Sequence, residues 1–234
     1  LGPYYSIVYP QINVTDHGFY FPGNDGTGLK MWFSDGTLNG TRPLGDLFQG
    51  LPLYTYGKAF CIQNDFYFTA ANRMYRHRAL QDSLDFLDLG SIGIPALYYA
   101  GVNYNFFQDS NALLAFVQKQ PDSLSVYRLN SDFSGFTLLN QTSVPTEGSI
   151  NSATHYVRQF QSRYIFRVKN TVSFDSLRGH MLLYNYKTNQ FKQQLNCFSS
   201  RMSVSLNSSN LVYNNKLYFP AFGDNVFYEP AFLN

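Results

Sequence analysis

Short apolar runs separated by polar turns recur along the chain at a regular interval. The centre of each copy is a triplet, Phe19-Tyr20-Phe21, Phe66-Tyr67-Phe68, Leu114-Ala115-Phe116, Tyr164-Ile165-Phe166 and Leu217-Tyr218-Phe219, at steps of 47, 48, 50 and 53 residues. A polar turn precedes every copy (Asp16-His17-Gly18, Asn64-Asp65, Asp109-Ser110-Asn111, Gln161-Ser162, Asn214-Asn215), as expected ahead of a strand. A second strand follows each triplet and carries an aromatic at Trp32, Tyr75, Tyr127, Tyr184 and Tyr228, beside Met31, Met74, Val126, Leu183 and Phe227. Third strands are predicted at residues 42–47, 85–89, 136–140 and 191–195, and a strand ahead of each triplet at 4–12, 53–62, 97–107, 154–160 and 204–213.

Four antiparallel strands per unit, repeated five times at this period, predict an all-β fold. The specific expectation is a five-bladed β-propeller in a single domain over residues 1–234, with blades at about 4–47, 53–90, 97–140, 154–196 and 204–234. Another β-repeat array, such as a solenoid, is the alternative, although solenoid repeats are usually shorter or helical and need capping units. The fifth blade is expected to be incomplete. After the strand around Phe227 no residues remain for an outermost strand, and the tail ahead of Tyr4 is too brief to supply one. Val226, Phe227, Tyr228 and Phe232 then form a candidate assembly edge, because an unpaired strand edge is a template for another chain.

Composition agrees with this class. Aromatic residues make up 18% of the chain and charged residues 14%, the latter about half the usual share. Glutamate occurs only at Glu147 and Glu229, so residues that fill helix surfaces are scarce while strand-favouring aromatics abound. A disordered chain is excluded. A formal net charge of +2 gives no electrostatic case for nucleic acid or an anionic membrane. No apolar run reaches the roughly 18 residues of a membrane span. Residues 92–107, for example, are broken by Pro95, Gly101, Asn103 and Asn105.

Residues 19–47 carry Asn24-Asp25-Gly26, Met31-Trp32, Ser34-Asp35-Gly36-Thr37, Gly40-Thr41 and the closing Gly45-Asp46-Leu47 in that order. This segment resembles the ELWxSDGTxxGT repeats of large secreted proteins, sometimes called hyalin-like. Later units keep the strand phase and echo the closing turn at Leu87-Asp88-Leu89-Gly90 and Pro95, but lose the SDGTxxGT turn. The resemblance implies propeller-like β structure in an extracellular or surface protein, and it implies no catalytic residues. Physically the motif is turn chemistry, since Asp-Gly and Asn-Gly accept the positive φ of tight hairpins. Calcium ligation by the Asp25 and Asp35 loops is the competing reading, and the full carboxylate spacing of a calcium loop is missing.

N-glycosylation acceptors of the form N-x-S/T occur at Asn13, Asn39, Asn140 and Asn207. Asn39 falls inside the SDGTxxGT turn, Asn13 ahead of a polar turn, and Asn140 and Asn207 in predicted links between units, so all four are expected at loops or strand ends. The two cysteines, Cys61 and Cys197, are assigned to different units and are expected to be unbonded.

Catalytic chemistry is not visible. Propeller glycoside hydrolases project acidic residues from innermost strands, and the five predicted innermost strands contain no Asp or Glu. His17, His77, His155 and His180 lack metal-ligand spacing and read as surface or packing residues. Phosphate-loop and dinucleotide fingerprints are absent, and no metal or cofactor is expected. Arg73, Arg76, His77 and Arg78 form the one concentrated basic feature, expected to be a solvated strand face with Arg76 and Arg78 on one side and His77 on the other. The aromatics repeated in every unit are expected to pack between blades rather than to hold sugars. The expectation for function is a non-catalytic extracellular glycoprotein module. Its partners are another copy of itself or another extracellular protein, in assembly of a surface or filamentous structure, and a lectin-like propeller binding glycans is the alternative.

Overall fold

The computed structural model describes residues 12–27, 29–44, 56–70, 72–94, 102–109, 112–119, 123–143, 157–168, 180–194, 203–204, 211–214, 216–223 and 226–233. All of these belong to strands, turns or one short 3-10 turn at Leu89–Ile92. The fold is all-β.

The strands form five antiparallel sheets. The first contains β1 (Asn13–Thr15), β2 (Gly18–Asn24), β3 (Leu29–Ser34) and β4 (Arg42–Pro43), and the second β5 (Tyr56–Ile62), β6 (Asp65–Ala70), β7 (Arg73–Arg78) and β8 (Ser83–Asp88). The third contains β9 (Val102–Asp109), β10 (Ala112–Lys119), β11 (Ser123–Leu129) and β12 (Phe136–Ser143), and the fourth β13 (Val157–Phe160), β14 (Arg163–Val168), β15 (His180–Asn185) and β16 (Gln190–Gln194). In each of these four sheets the strands pair in chain order, which is the predicted meander. The fifth consists of β17 (Ser203–Val204), β18 (Leu211–Tyr213), β19 (Lys216–Gly223) and β20 (Val226–Leu233). There β17 and β18 both pair with β19, at Val204↔Ala221 and Leu211↔Tyr218, so together they occupy one lane and β20 takes the third. Every triplet lies in the second lane of its sheet.

Several boundaries differ from expectation, among them those of two first strands. The first strand of the first sheet is β1, beyond the predicted 4–12, because Asn13, Val14 and Thr15 are the residues in register with Tyr20, Phe19 and Gly18 across the Asp16-His17 turn. Residues 4–11 of the predicted strand lie outside the described residues. The first strand of the third sheet runs on to Asp109, two residues past its predicted end, and so includes an acidic residue. In three of the turns ahead of the triplets Asn64, Gln161 and Asn214 adopt φ of 70°, 52° and 48°, the left-handed region that tight hairpins need, and Ser110, Asn111 and Asn215 of the predicted turns lie outside the described residues.

The chain packs as two compact units. The first comprises Leu1–Ala100, Phe106–Leu114 and Leu129–Phe136, and the second Gly101–Asn105, Ala115–Arg128 and Thr137–Asn234. In the first, Tyr20, Met31, Phe33 and Leu44 pack against Phe66, Phe68 and Tyr75, with Ala59, Cys61, Ala79 and Leu84 at the margin. Tyr20 and Phe66 stack with ring centroids 3.9 Å apart and planes 10° from parallel. The opposite face of the second sheet is covered as well. Phe60 meets Phe106 edge-on, Tyr67 meets Phe133, and the amide of Gln108 donates to the Cys61 carbonyl at 2.7 Å. In the second unit Phe116 packs against Tyr164 and Tyr184 at 5.1 and 5.7 Å, and Val126, Ile165 and Leu183 are buried as well. Cys61 is a free thiol, and burial pushes its pKa up to about 11. Cys197 lies outside the described residues.

Phe66 is fully buried at the centre of the first unit's core. Its replacement by Ala leaves a cavity between two sheets and is expected to destabilise the protein by roughly 3–5 kcal/mol. Urea unfolding checks this, with the midpoint falling and the slope unchanged.

Candidate functional site

Two side-chain networks stand out, both in the first unit. The first runs from the core to the surface. Tyr20 on β2 is fully buried, so its phenol needs a partner, and it lies 2.9 Å from Nδ1 of His77 on β7. The Nε2 of His77 faces Asp82 Oδ1 at 3.3 Å, and Asp82 pairs with Arg42 of β4. Because a carboxylate accepts only, Nε2 carries the proton, Nδ1 accepts, and the Tyr20 hydroxyl donates. Burial holds the His77 pKa below the ordinary histidine value, while the hydrogen bond from Arg42 holds Asp82 below the usual carboxylate range. Burial likewise pushes the Tyr20 phenol up.

The second network lies on the other face of β7. Arg76 and Arg78 each donate to Asp85 Oδ2 at 2.9 Å, and the Arg76 guanidinium sits 4.5 Å from the ring centre of Phe133. The predicted division of this basic run is correct, with Arg76 and Arg78 on one side and His77 on the other, but the expected solvated face is not. The Arg76 side chain is only 11% exposed, because Phe133 covers it and Asp85 neutralises it. Hydrogen bonds from Arg76 and Arg78 depress the Asp85 pKa, whereas burial raises that of Asp65 beside them. Asp85 thus neutralises Arg76 and Arg78, while Arg73 is exposed and lies 4.4 Å from the ring centre of Phe86.

The SDGTxxGT segment closes into a hydrogen-bonded loop between β3 and β4. Asp35 Oδ1 accepts from both the amide and the hydroxyl of Thr37, Thr37 Oγ1 accepts from the Gly40 amide, and Thr41 Oγ1 donates to the Thr37 carbonyl. The Ser34 and Thr41 hydroxyls lie 2.7 Å apart. A Cβ on Gly40 would stand 2.0 Å from the Asp35 carboxylate, so any other residue there has to displace that carboxylate from its bonds to Thr37. Asp25 repeats this arrangement on Thr27 and adds Lys30, and its pKa falls to about 2, chiefly through the Thr27 hydroxyl. Both carboxylates are thereby occupied by turn chemistry. No set of three or more His, Cys, Asp or Glu side chains among the described residues is arranged to hold a metal ion.

The remaining candidates are dispersed. Asn13 opens β1 half-buried and Asn39 is exposed in the SDGTxxGT loop. Asn140 is not in a link: it lies inside β12, where the strand continues to Ser143, and its amide nitrogen donates to the Asn189 carbonyl. Asn207 lies outside the described residues. Val226, Phe227, Tyr228 and Phe232 all lie on β20, whose described pairing is to β19 alone. Of the repeated aromatics, Tyr75 and Tyr184 are buried, whereas Tyr127 is half-buried, as is Trp32 on the face of the first sheet that carries Phe19 and Phe21. Phe133 gave no signal in the sequence. It is buried at φ 62° within a turn closed by Asn130 and Gly135. His17 sits in the β1–β2 turn, His180 opens β15, and His155 is outside the described residues.

No family model and no curated protein matches the chain. Among solved structures it is similar to the extracellular domain of a putative hybrid two-component system from B. thetaiotaomicron, with 12% identity, a TM-score of 0.47, and coverage of 96% of this chain and 27% of that one. It is also similar to an alpha-L-arabinofuranosidase from Clostridium thermocellum, with 11% identity, a TM-score of 0.42, and coverage of 90% and 80%. A third likeness is to a chain in the S. cerevisiae dbp5–nup159–gle1 assembly, with 10% identity, a TM-score of 0.48, and coverage of 90% and 56%. This chain thus spans about a quarter of the two-component-system domain. None of these likenesses carries an argument about function. No helix among the described residues is long and apolar enough to cross a membrane.

The His77 network sets a pH dependence. Its pKa in the folded chain lies below the ordinary value of about 6.5, so on acidification the unfolded chain takes up the proton first. The stabilisation is therefore complete above about pH 6.5 and declines below it, with a slope of at most about 1.4 kcal/mol per pH unit. Urea midpoints measured from pH 7 to 5 are expected to fall for the wild type and to flatten in His77→Gln. Tyr20→Phe keeps the ring stack but strands Nδ1, and is expected to cost about 1–3 kcal/mol at pH 7.

Proposed function

We propose that the chain is a non-catalytic extracellular glycoprotein module, a five-bladed β-propeller of the hyalin-like type, that works by protein contact and assembly. The observation that carries this reading is the third lane of the fifth sheet. In the other four sheets a fourth strand covers the third, namely β4, β8, β12 and β16, whereas among the described residues nothing pairs the outer side of β20. An eight-residue strand with an open edge suits β-augmentation, in which main-chain bonds give affinity and alternate side chains give specificity. The propeller itself is supported by five successive antiparallel sheets with the triplet always in the second lane. Pro230 and Glu229 temper the edge, since proline removes a donor and charge discourages indiscriminate pairing. The lectin-like alternative draws on the half-buried Trp32 and Tyr127, because burial of Tyr75 and Tyr184 removes a sugar platform repeated in every sheet.

Light scattering on the purified chain is expected to show association that rises with concentration, with backbone exchange along residues 226–233 slowing as it does. A protein that stays monomeric at high concentration and already exchanges slowly there would show that the edge has no need of a partner.

A further inference from the structure

We infer that Asn39 is the glycan-bearing residue of the SDGTxxGT loop and that the fold closes Asn140 to glycan. The inference rests on the extracellular reading above, since transfer takes place in a secretory compartment. In the loop every motif residue has an internal task. Ser34, Asp35, Thr37, Gly40 and Thr41 hold one another, and Gly36 donates its amide to Ser34 Oγ. Leu38 and Asn39 are the two whose side chains take no part. Asn39 is exposed, and Leu38 beside it is 91% exposed, the most open large apolar side chain among the described residues. A sugar on Asn39 projects into solvent and shields that leucine without displacing any bond of the loop.

Asn140 is the opposite case, although its triplet Asn140-Gln141-Thr142 is an equally good acceptor by sequence. Its side chain is half-buried in β12. Its nitrogen donates to the Asn189 carbonyl in the β15–β16 turn, and its oxygen accepts from the Gln141 amide at 2.7 Å. A glycan on that nitrogen would have to lie between β12 and this turn.

Transfer joins Asn Nδ2 to the anomeric carbon of a lipid-pyrophosphate-linked oligosaccharide. The carbon–oxygen bond to pyrophosphate breaks, the lipid pyrophosphate leaves, and Nδ2 gives up one proton. In the folded loop the acceptor hydroxyl Thr41 Oγ1 is already bound to the Thr37 carbonyl at 2.6 Å. Transfer therefore precedes loop closure, and the fold decides afterwards which glycosylated chains survive.

The test is secretion of the full chain from a eukaryotic host behind a heterologous leader, followed by glycopeptide mapping of the folded fraction. Asn39 is expected to be occupied in most molecules and Asn140 bare. Asn39→Gln should remove one endoglycosidase-sensitive mass step and leave the melting temperature unchanged, whereas Asn140→Gln should remove no mass and lower it. A bare Asn39, or glycan on Asn140 in folded protein, overturns the inference. If little protein is secreted, bacterially made variants carry the decision: equal melting temperatures for Asn39→Gln and Asn140→Gln would overturn it. Glycan on Asn39 in the host but none on protein from its native source would count against the extracellular reading and leave the inference about the fold standing.

Discussion

The packing of the first unit depends on the stack of Tyr20 on Phe66. Two twisted sheets pack closely only where large side chains from both faces interlock, and an offset pair of parallel rings fills that space densely. Using tyrosine there imposes a condition that phenylalanine would not: a buried hydroxyl needs an acceptor. His77, on the same face of the second sheet as Phe66, supplies it. The imidazole then needs an acceptor for its own proton, found in Asp82, which is 61% exposed and pairs with Arg42 on the outermost strand of the first sheet. Each group thus satisfies the one before it, and the chain ends only at solvent. Because it starts on β2 and returns to β4, it ties two strands of the first sheet to the second.

The loop motif obeys a similar economy. Asp25-Gly26-Thr27 and Asp35-Gly36-Thr37 make the same three-residue turn, each carboxylate taking the amide and hydroxyl of the threonine two positions on. The glycines stand at φ of 91° and 93°, where other residues are strained. These bonds account for Ser34, Asp35, Gly36, Thr37, Gly40 and Thr41 without a bound ion, and leave the side chains of Leu38 and Asn39 outside the network.

The lane order was legible because strand periodicity and turn residues repeat together, and both are local. The triplets and their preceding turns carried the four-strand arrangement with little help from elsewhere. What was not legible depends on which face meets which neighbour. Trp32 and Tyr75 look equivalent in sequence, and both oppose the third residue of their triplet, Phe21 and Phe68. Yet Trp32 stays half-buried while Tyr75 is buried, since the first sheet meets the second through Tyr20 and Phe33 on its other face. In the fourth sheet the equivalent Tyr184 opposes the first triplet residue, Tyr164. Phe133 was hidden for another reason. A buried phenylalanine at positive φ is held there by tertiary packing, here Tyr67 and Arg76, and no local pattern announces it.

The fifth sheet shows how two prolines shape an edge. In the pairing of β19 with β20, Pro220 faces Pro230. Proline has no N–H, so this pair suits the position where neighbours exchange no bonds, and the polar groups of both residues then point away from each other. On the inner side, β17 reaches Ala221 and β18 begins at Tyr218, so Pro220 has no described partner where its missing donor would be felt. On the outer side, Pro230 and Phe232 turn their backbone groups outward by the same alternation, with Pro230 lacking its donor, and the alternation is interrupted beyond Glu229, where the register with β19 shifts. Two copies meeting antiparallel with Pro230 against Pro230 would lose the bonds of the proline pair, since neither residue can donate. That symmetric contact is isologous and closes after two copies, whereas a filament requires β20 to receive a different segment of the next molecule.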